Sequence, residues 1–286
     1  MPVYRDYDQA ALDAQYNPRA ATPSFVHHLR RWGDSSEAAR AGAPAKRLDL
    51  AYGPGPAERL DFFPAQGHAA PLLAFIHGGE WQSLDKADFA FLAPAFAAHG
   101  ISVALIGHGQ APDIKLAAMV EQCRAAIAWL YRNAAELEID ATRMHLAGHG
   151  TGGHLAMMAV AKPWRSFELL GNPVQSALAL GGIYDLAPVR LSYLNGALQL
   201  DAESCETLSP IHRPAPLACR VLVASGGRES LEYRRQAHAF AAAWRGQGCA
   251  IDLLELPGED HFSLLDRLPE FDGALGSKAL MAVLDG

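Results

Sequence analysis

Short apolar, β-branched runs alternate with longer segments of helical periodicity from residue 46 onward. Apolar runs that predict strands occupy residues 47–51, 59–63, 72–76, 101–106, 143–147, 177–180, 220–224 and 251–256. Helical periodicity covers residues 85–99, 115–134, 151–161 and 231–246. This alternation is typical of the α/β class, with a mostly parallel eight-stranded sheet that has helices on both faces.

Two segments fall outside this alternation. Residues 1–45 fit no strand pattern, and we expect them to wrap the body as a helix and an extended arm. Residues 188–216 are rich in Pro and Leu, and we expect an irregular small cap over a pocket. A chain of 286 residues that is 50% hydrophobic can bury one large core, so we predict a single domain over residues 1–286.

Charge and composition exclude several classes of partner. The net charge of -7, the pI near 5.9 and the absence of any Lys/Arg run give no attraction to nucleic acid or to anionic membranes. The first thirty residues lack the uninterrupted apolar h-region of a secretion signal, and no later stretch reaches the length of a membrane span, so a cytoplasmic protein is expected. The four cysteines lack C-x-x-C spacing, which predicts reduced thiols. We expect a small-molecule substrate, and a homodimer is left open.

The sequence at 143–156 reads as a strand, a tight glycine-rich turn and an alanine-rich helix. This is the context of a nucleophile elbow, G-x-S-x-G, in which a strained central residue projects its side chain into the pocket. Gly148 and Gly152 are in place, but Gly150 occupies the position of the serine. Glycine accepts the strained conformation without steric cost, so the turn should persist without the nucleophilic oxygen.

The same residues also match G-x-G-x-x-G at 148–153, a fingerprint of dinucleotide-binding folds. Such a fold normally places this turn early in its domain and has an acidic residue about twenty positions later, at a strand end. Here the turn follows roughly five predicted strands, the strand at 177–180 ends without an acid, and Asp185 lies beyond it. These features favour the elbow over a dinucleotide site.

The segment His77-Gly78-Gly79-Glu80-Trp81 directly follows a buried predicted strand. An H-G-G loop in this position supplies backbone N–H groups to an oxyanion hole. The residue after the nucleophile, here Thr151, supplies the other half. We therefore expect the N–H groups of Gly78, Gly79 and Thr151 to stabilise a developing oxyanion.

Two later loops offer a base and an acid. His261 follows the last predicted strand, and Glu229 follows the preceding one. The chain order of nucleophile position, acid and base matches that of a Ser-Asp/Glu-His hydrolase. We predict that His261 is the general base and that Glu229 orients it.

Taken together, these segments resemble the kynurenine formamidase-like branch of the α/β-hydrolases. The motifs that carry the resemblance are Tyr16-Asn17 with Arg19, the H-G-G-x-W loop, the strand and A-P turn at Val103–Pro112, G-H-x-x-G-G-H-L-A, Tyr184-Asp185-Leu186, Tyr233 with Arg235 and Gln236, and His261-Phe262-Ser263. The resemblance implies an α/β-hydrolase fold and hydrolysis of aryl formamides or small carboxylic esters without a cofactor. It also implies the roles predicted for His261, Glu229 and the oxyanion loop.

The chain departs from this family at Gly150, and Gly107-His108-Gly109 stands where relatives usually carry Asn-Tyr. Loss of the serine should abolish the acyl-enzyme route, and the Thr151 hydroxyl is expected to point away from the base. Three alternatives stay open. The chain uses His261 on water or substrate without a covalent step; the natural protein has serine and Gly150 was introduced; or the chain is a catalytically silent small-molecule-binding protein.

Several residues around the elbow are predicted to contact a substrate, which the resemblance suggests is aromatic. They are His77, Glu80, Trp81, His108 and His149. A second imidazole at His108 could donate a proton near Gly150 or bind a substrate carboxylate. His77 and His149 belong to ordinary motifs of the family, so we expect no metal site from this concentration of histidines.

Overall fold

The computed structural model describes residues 1–284 and contains an eight-stranded sheet in the order β1-β2-β4-β3-β5-β6-β7-β8. The strands are β1 (Arg47–Ala51), β2 (Arg59–Phe63), β3 (Ala70–Ile76), β4 (Ser102–Ile106), β5 (Ile139–His149), β6 (Val174–Leu180), β7 (Arg220–Gly226) and β8 (Ile251–Leu256). Strand β2 is antiparallel to both of its neighbours, and the pairs from β4 through to β8 are parallel. The fold prediction is confirmed: this is the sheet of an α/β-hydrolase.

Helices occupy both faces of this sheet. They are α1 (Gln9–Gln15), α2 (Pro18–Ala21), α3 (Phe25–Gly42), α4 (Ala93–Ala97), α5 (Leu116–Arg132), α6 (Thr151–Ala161), α7 (Ala187–Arg190), α8 (Asn195–Leu198), α9 (Ala202–Leu208), α10 (Leu231–Gly246), α11 (His261–Asp266) and α12 (Ala274–Leu284). Short 3-10 helices lie at Lys86–Leu92, Trp164–Phe167 and Pro210–His212. Because both faces are covered, every residue of β3 and β4 is buried, as expected for central parallel strands.

The two faces form separate apolar clusters. One contains residues of α5, α6 and α10, such as Met119, Met157 and Phe240. The other contains residues of α3, α4, α11 and α12, such as Trp32 and Phe96. Alternate residues of each strand enter opposite clusters, which follows from the two-residue period of a strand.

Several local predictions need correction. The predicted helix at 85–99 is a 3-10 helix followed by α4, because Pro94 favours the first turn of a new helix. The N-terminal segment contains three helices rather than one helix and an extended arm. Residues 188–216 are largely helical rather than irregular. Strands β5 and β6 start earlier than the apolar runs indicated, and α11 and α12 were not predicted.

The central strands β3 and β5 pair directly, while the chain continues from β3 to β4 on the other side. This change of direction opens a crevice at the carboxyl ends of the two strands, where ligands bind in open α/β sheets. The H-G-G loop leaves β3 at this point, and the glycine-rich turn leaves β5 beside it. The topology therefore brings the two motifs together.

Candidate active site

The turn after β5 has the geometry of a nucleophile elbow. Gly150 has φ 56° and ψ -121°, a left-handed conformation that side chains rarely adopt, and α6 begins at the next residue. A Cβ atom on Gly148 would clash with the carbonyl of Gly152, and one on Gly152 would clash with that of Ile76. These glycines allow strand, helix and H-G-G loop to approach closely. The strand order also differs from that of a dinucleotide-binding fold.

His261 and Glu229 form a buried pair beside this turn. Nδ1 of His261 lies 2.7 Å from Oε1 of Glu229, whose Oε2 accepts a hydrogen bond from the backbone N–H of Gly226 at 2.8 Å. The Glu229 side chain is only 1% exposed. Because the carboxylate accepts from Nδ1–H, the other ring nitrogen, Nε2, is left as the basic atom.

Nε2 of His261 is directed at Gly150. A Cβ atom added to Gly150 would lie 3.1 Å from Nε2 and 3.3 Å from Cε1 of His261. The three residues predicted for base, acid and nucleophile position are therefore adjacent. The helix that carries His261 is held by its N-cap, since Asp260 accepts hydrogen bonds from the N–H groups of Phe262 and Ser263, both at 2.9 Å.

The H-G-G loop lies against the elbow. A Cβ atom on Gly78 would lie 2.6 Å from the carbonyl oxygen of His149, and Gly79 has φ 120°. Gly79 and Thr151 both line a small cavity beside His261. No acceptor for the Gly79 N–H occurs among residues 1–284. The hydroxyl of Thr151 accepts a hydrogen bond from the N–H of Trp81 at 3.3 Å, so it faces the loop.

His149 contacts His261 through a hydrogen bond and through ring packing. Its Nε2–H donates to the carbonyl oxygen of His261 at 2.7 Å, and the two ring centroids are 4.6 Å apart. Burial, aided by the nearby His261 ring, lowers the pKa of His149 to about 3. A neutral ring with its proton on Nε2 is the form that can donate this bond.

The cavity beside His261 has a volume of about 30 Å³. Its lining includes Glu80, His149, Tyr233 and, from the N-terminal helices, Pro18 and Arg19. Arg19 donates to Ser83 Oγ at 2.6 Å and pairs with Glu80 at 3.6 Å. The cover of the site is thus the N-terminal segment. None of residues 188–216 lines this cavity, so the small cap expected there stays a prediction.

Three predicted substrate-binding residues do not line this cavity. His77 and His108 stack on each other with ring centroids 4.3 Å apart, and Trp81 packs against His154 at 5.3 Å. Burial lowers the pKa of His77 to about 4 and that of His108 to about 3. The structure does not place His108 beside Gly150, since among the described residues, chain neighbours aside, only His261 lies within 4 Å of a Cβ atom on Gly150. The Nδ1–H of His108 donates to the carbonyl of Gly109 at 2.8 Å within its own loop.

Sequence reasoning missed two contributors. Gly181, with φ 53°, lies so close to the acid and base that a Cβ atom there would be 2.5 Å from Oε1 of Glu229. The Gly181-Gly182 pair directly after an apolar strand was a usable signal. The cover from Pro18 and Arg19 had no local signal, because it depends on long-range packing. Within residues 1–284, no cluster of three potential metal ligands is found.

Comparison with known proteins agrees with this fold. The BD-FAE family model matches residues 60–175. The chain is 27% identical to a kynurenine formamidase of Salmo salar, with 95% of both chains covered, and 26% identical to one of Danio rerio, with 99% of both covered. A solved structure from a Silicibacter species, provisionally titled a thioesterase, superposes with a TM-score of 0.82 at 26% identity, covering 93% of this chain and 97% of that one.

Fold and similarity together define the class of this protein as an α/β-hydrolase. Within that class, the chain is kynurenine formamidase-like. The resemblance stated from the motifs is thereby confirmed. None of the helices among residues 1–284 has both the length and the apolar character needed to cross a membrane.

Proposed function

We propose that the chain hydrolyses a C–N or ester bond of a small substrate, an aryl formamide, amide or carboxylic ester, without forming an acyl-enzyme. The kynurenine formamidases and esterases among its relatives support the reaction class. One observation carries the non-covalent route: the Glu229–His261 pair is intact, but Gly150 beside it has no side chain. A Cβ atom placed on Gly150 would lie 3.1 Å from Nε2 of His261.

In this proposal, Nε2 of His261 takes a proton from a water molecule as the water oxygen attacks the substrate carbonyl. The cavity of about 30 Å³ has room for a water molecule. The N–H groups of Gly79 and Thr151 stabilise the oxyanion, with Gly78 in the same loop. Protonated His261 then returns the proton to the leaving amine or alkoxide as the C–N or C–O bond breaks, which leaves a carboxylic acid.

Glu229 makes the base effective in two ways. Its carboxylate holds Nδ1 as the protonated nitrogen, and it stabilises the imidazolium that forms when Nε2 gains a proton. Both effects need a buried carboxylate at short distance, and Glu229 has both properties. General-base catalysis of this kind contributes about 10²–10⁴-fold in rate.

The aryl substrate cannot fit a cavity of about 30 Å³, since ligand pockets have volumes of roughly 300 Å³ and more. Binding therefore requires the N-terminal cover at Pro18 and Arg19 to move. Arg19 and Glu80 form a half-buried ion pair at 3.6 Å, and such a pair at the rim of a cavity opposes this movement by only about 1 kcal/mol.

The test compares the chain with Gly150→Ser and Gly150→Ala on an aryl formamide and an aryl acetate. We expect the glycine chain to turn over substrate without labelling by a fluorophosphonate, whereas Gly150→Ser becomes labelled. The alanine variant controls for added bulk, because it brings the Cβ near His261 but no oxygen. Turnover by Gly150→Ser alone would contradict the proposal and favour a catalytically silent binding protein.

A further inference from the structure

A second cavity lies near the amino-terminal ends of β6, β7 and β8 and against the middle of β5, the strand that carries the elbow. It has a volume of about 260 Å³ and lies between the sheet and α12. His145 lines it, four residues before His149, which corresponds to about 13 Å along a strand. The cavity is therefore separate from the candidate active site, and the proposed reaction makes no use of it.

A polar row crosses three neighbouring strands at this cavity. In register, His145 of β5 is paired with Ser176 of β6, which is paired with Arg220 of β7. All three line the cavity, on the sheet face whose next residues, Ala147, Leu178 and Leu222, are apolar. Adjacent strands are about 4.8 Å apart, so the three side chains stand within reach of a single small ligand.

His145 and Ser176 leave one hydrogen-bond donor free. Nδ1 of His145 lies 2.8 Å from Oγ of Ser176, and no partner for Nε2 is found in the described part of the chain, although His145 is only 1% exposed. If the hydroxyl donates to Nδ1, the free donor is Nε2–H. If Nδ1–H donates to the hydroxyl oxygen, the free donor is the serine O–H. Either tautomer leaves one donor of this buried pair without a partner.

The charges around the cavity favour an anion. Arg220 and Lys278 line its solvent-exposed rim, against the single and likewise exposed carboxylate of Asp252, whose Oδ2 is 3.9 Å from Nζ of Lys278. No carboxylate partner of Arg220 occurs within residues 1–284. A local excess of positive charge stands out in a chain of net charge -7. Guanidinium groups bind carboxylates in bidentate geometry.

The remaining walls are apolar and limit the size of the ligand. Side chains of β3, β6, β7 and α12 provide them, together with Leu268 from the segment between α11 and α12. Leu73, Leu178, Met281 and Val283 are among them. A volume of about 260 Å³ is below the range of roughly 300–1,000 Å³ of typical ligand pockets, so the ligand must be small. A carboxylate with a short aliphatic or monocyclic aromatic body has this size.

We propose that this cavity binds a small apolar monocarboxylate, with its carboxylate between Arg220 and the His145–Ser176 pair and its hydrocarbon part against the leucine side chains. The site is independent of the proposed hydrolysis. The cavity is lined by β5, and the carboxyl end of β5 leads into the elbow. A ligand in the cavity therefore contacts the strand that positions Gly150.

The test measures benzoate binding by isothermal titration calorimetry, with benzamide as the neutral match. We expect benzoate to bind at millimolar concentration or below, and benzamide at least about tenfold more weakly. Arg220→Gln should weaken benzoate binding about tenfold or more, since hydrogen bonds to charged groups are among the strong ones. Ala282→Leu, which fills the cavity from the half-buried face of α12, should weaken it similarly.

Two control variants locate the binding. Arg165→Gln removes an exposed arginine outside the cavity lining and should leave benzoate affinity unchanged, as should His261→Ala in the candidate active site. The proposal is overturned if benzoate does not bind at millimolar concentration, if benzamide or Arg220→Gln gives the parent affinity, or if His261→Ala abolishes binding. The last outcome would place benzoate in the active site.

Discussion

Gly181 and Glu229 are in direct contact, because the acid occupies the space that a side chain at position 181 would fill. A Cβ atom on Gly181 would lie 2.5 Å from Oε1 of Glu229 and 2.9 Å from Nδ1 of His261. The hydrogen bond between acid and base thus depends on the absence of a side chain on the neighbouring strand end. This contact leads to the first prediction.

Gly181→Ala should separate Glu229 from His261. We expect hydrolysis of an aryl formamide to fall about 10²-fold, because the base loses its orienting carboxylate. Alanine is also strained at the left-handed φ of 53°, so the substitution should reduce the free energy of unfolding by about 1–3 kcal/mol. Gly33→Ala is the matched control: a Cβ there meets nothing within 4 Å inside α3, so activity should be unchanged. Equal activity of Gly181→Ala and the parent would contradict the prediction that the space at Gly181 keeps Glu229 beside His261.

Glu229→Gln tests the acid without changing its size. The amide can still accept one hydrogen bond but carries no charge to stabilise an imidazolium, so kcat should fall by about 10² or more. Glu136→Gln, at a carboxylate whose side chain is 71% exposed, serves as the control and should keep full activity. Steady-state kinetics on both variants give the comparison. A glutamine variant as fast as the parent would exclude the proposed role.

Arg19→Ala should loosen the N-terminal cover over the cavity. Loss of its contacts to Glu80 and Ser83 is expected to change the free energy of unfolding by no more than about 1 kcal/mol. We expect kcat/KM to rise for a bulky aryl ester relative to an aryl acetate, because a larger substrate needs a wider opening. Arg47→Ala, in an exposed ion pair outside the cavity lining, should leave that ratio unchanged. If Arg19→Ala leaves the ratio of the two kcat/KM values unchanged, the prediction that the N-terminal segment covers the cavity is wrong.

Buried histidines should make the fold sensitive to acid. Burial lowers the pKa of His77, His145 and His154 to about 4, and that of His108 and His149 to about 3. The unfolded chain binds protons at these sites below pH 6.5 while the folded chain does not. Stability should therefore fall as pH drops from about 6.5 towards 4, by roughly 1 kcal/mol per histidine at pH 5.5.

Urea unfolding at pH 7.5 and pH 5.5 measures this loss. His68→Gln is the control, because the His68 side chain is 88% exposed and its removal should leave the pH dependence intact. His154→Gln should reduce it, since one buried imidazole is gone. Equal free energies of unfolding at the two pH values would contradict the prediction.

Much of the sheet was predictable because its strands carry a local signal. Buried strands such as β3 and β7 are short apolar runs that end at a glycine or a motif, and these fixed both the fold class and the position of the elbow. The adjacency of His261 and Glu229 was predictable for the same reason, since both residues follow recognisable strands in the order that the fold requires.

Other features depend on contacts between distant segments and leave no local pattern. The cover by Arg19 depends on Glu80 and Ser83, more than sixty residues away in the chain. His108 was expected near Gly150, yet its ring stacks on His77, and no periodicity encodes that choice of rotamer. The helix α12 was missed because its alanine-rich, apolar sequence lacks a clear polar face.

The central claim is that His261 acts as a base on a substrate carbonyl although Gly150 supplies no nucleophile. The most direct test is the rate of aryl formamide hydrolysis by the unaltered chain and by His261→Ala, at equal protein concentration. We predict turnover by the parent and a fall of about 10²–10⁴-fold in the variant. Equal rates for the two proteins, whether both active or both at the level of buffer, would contradict it.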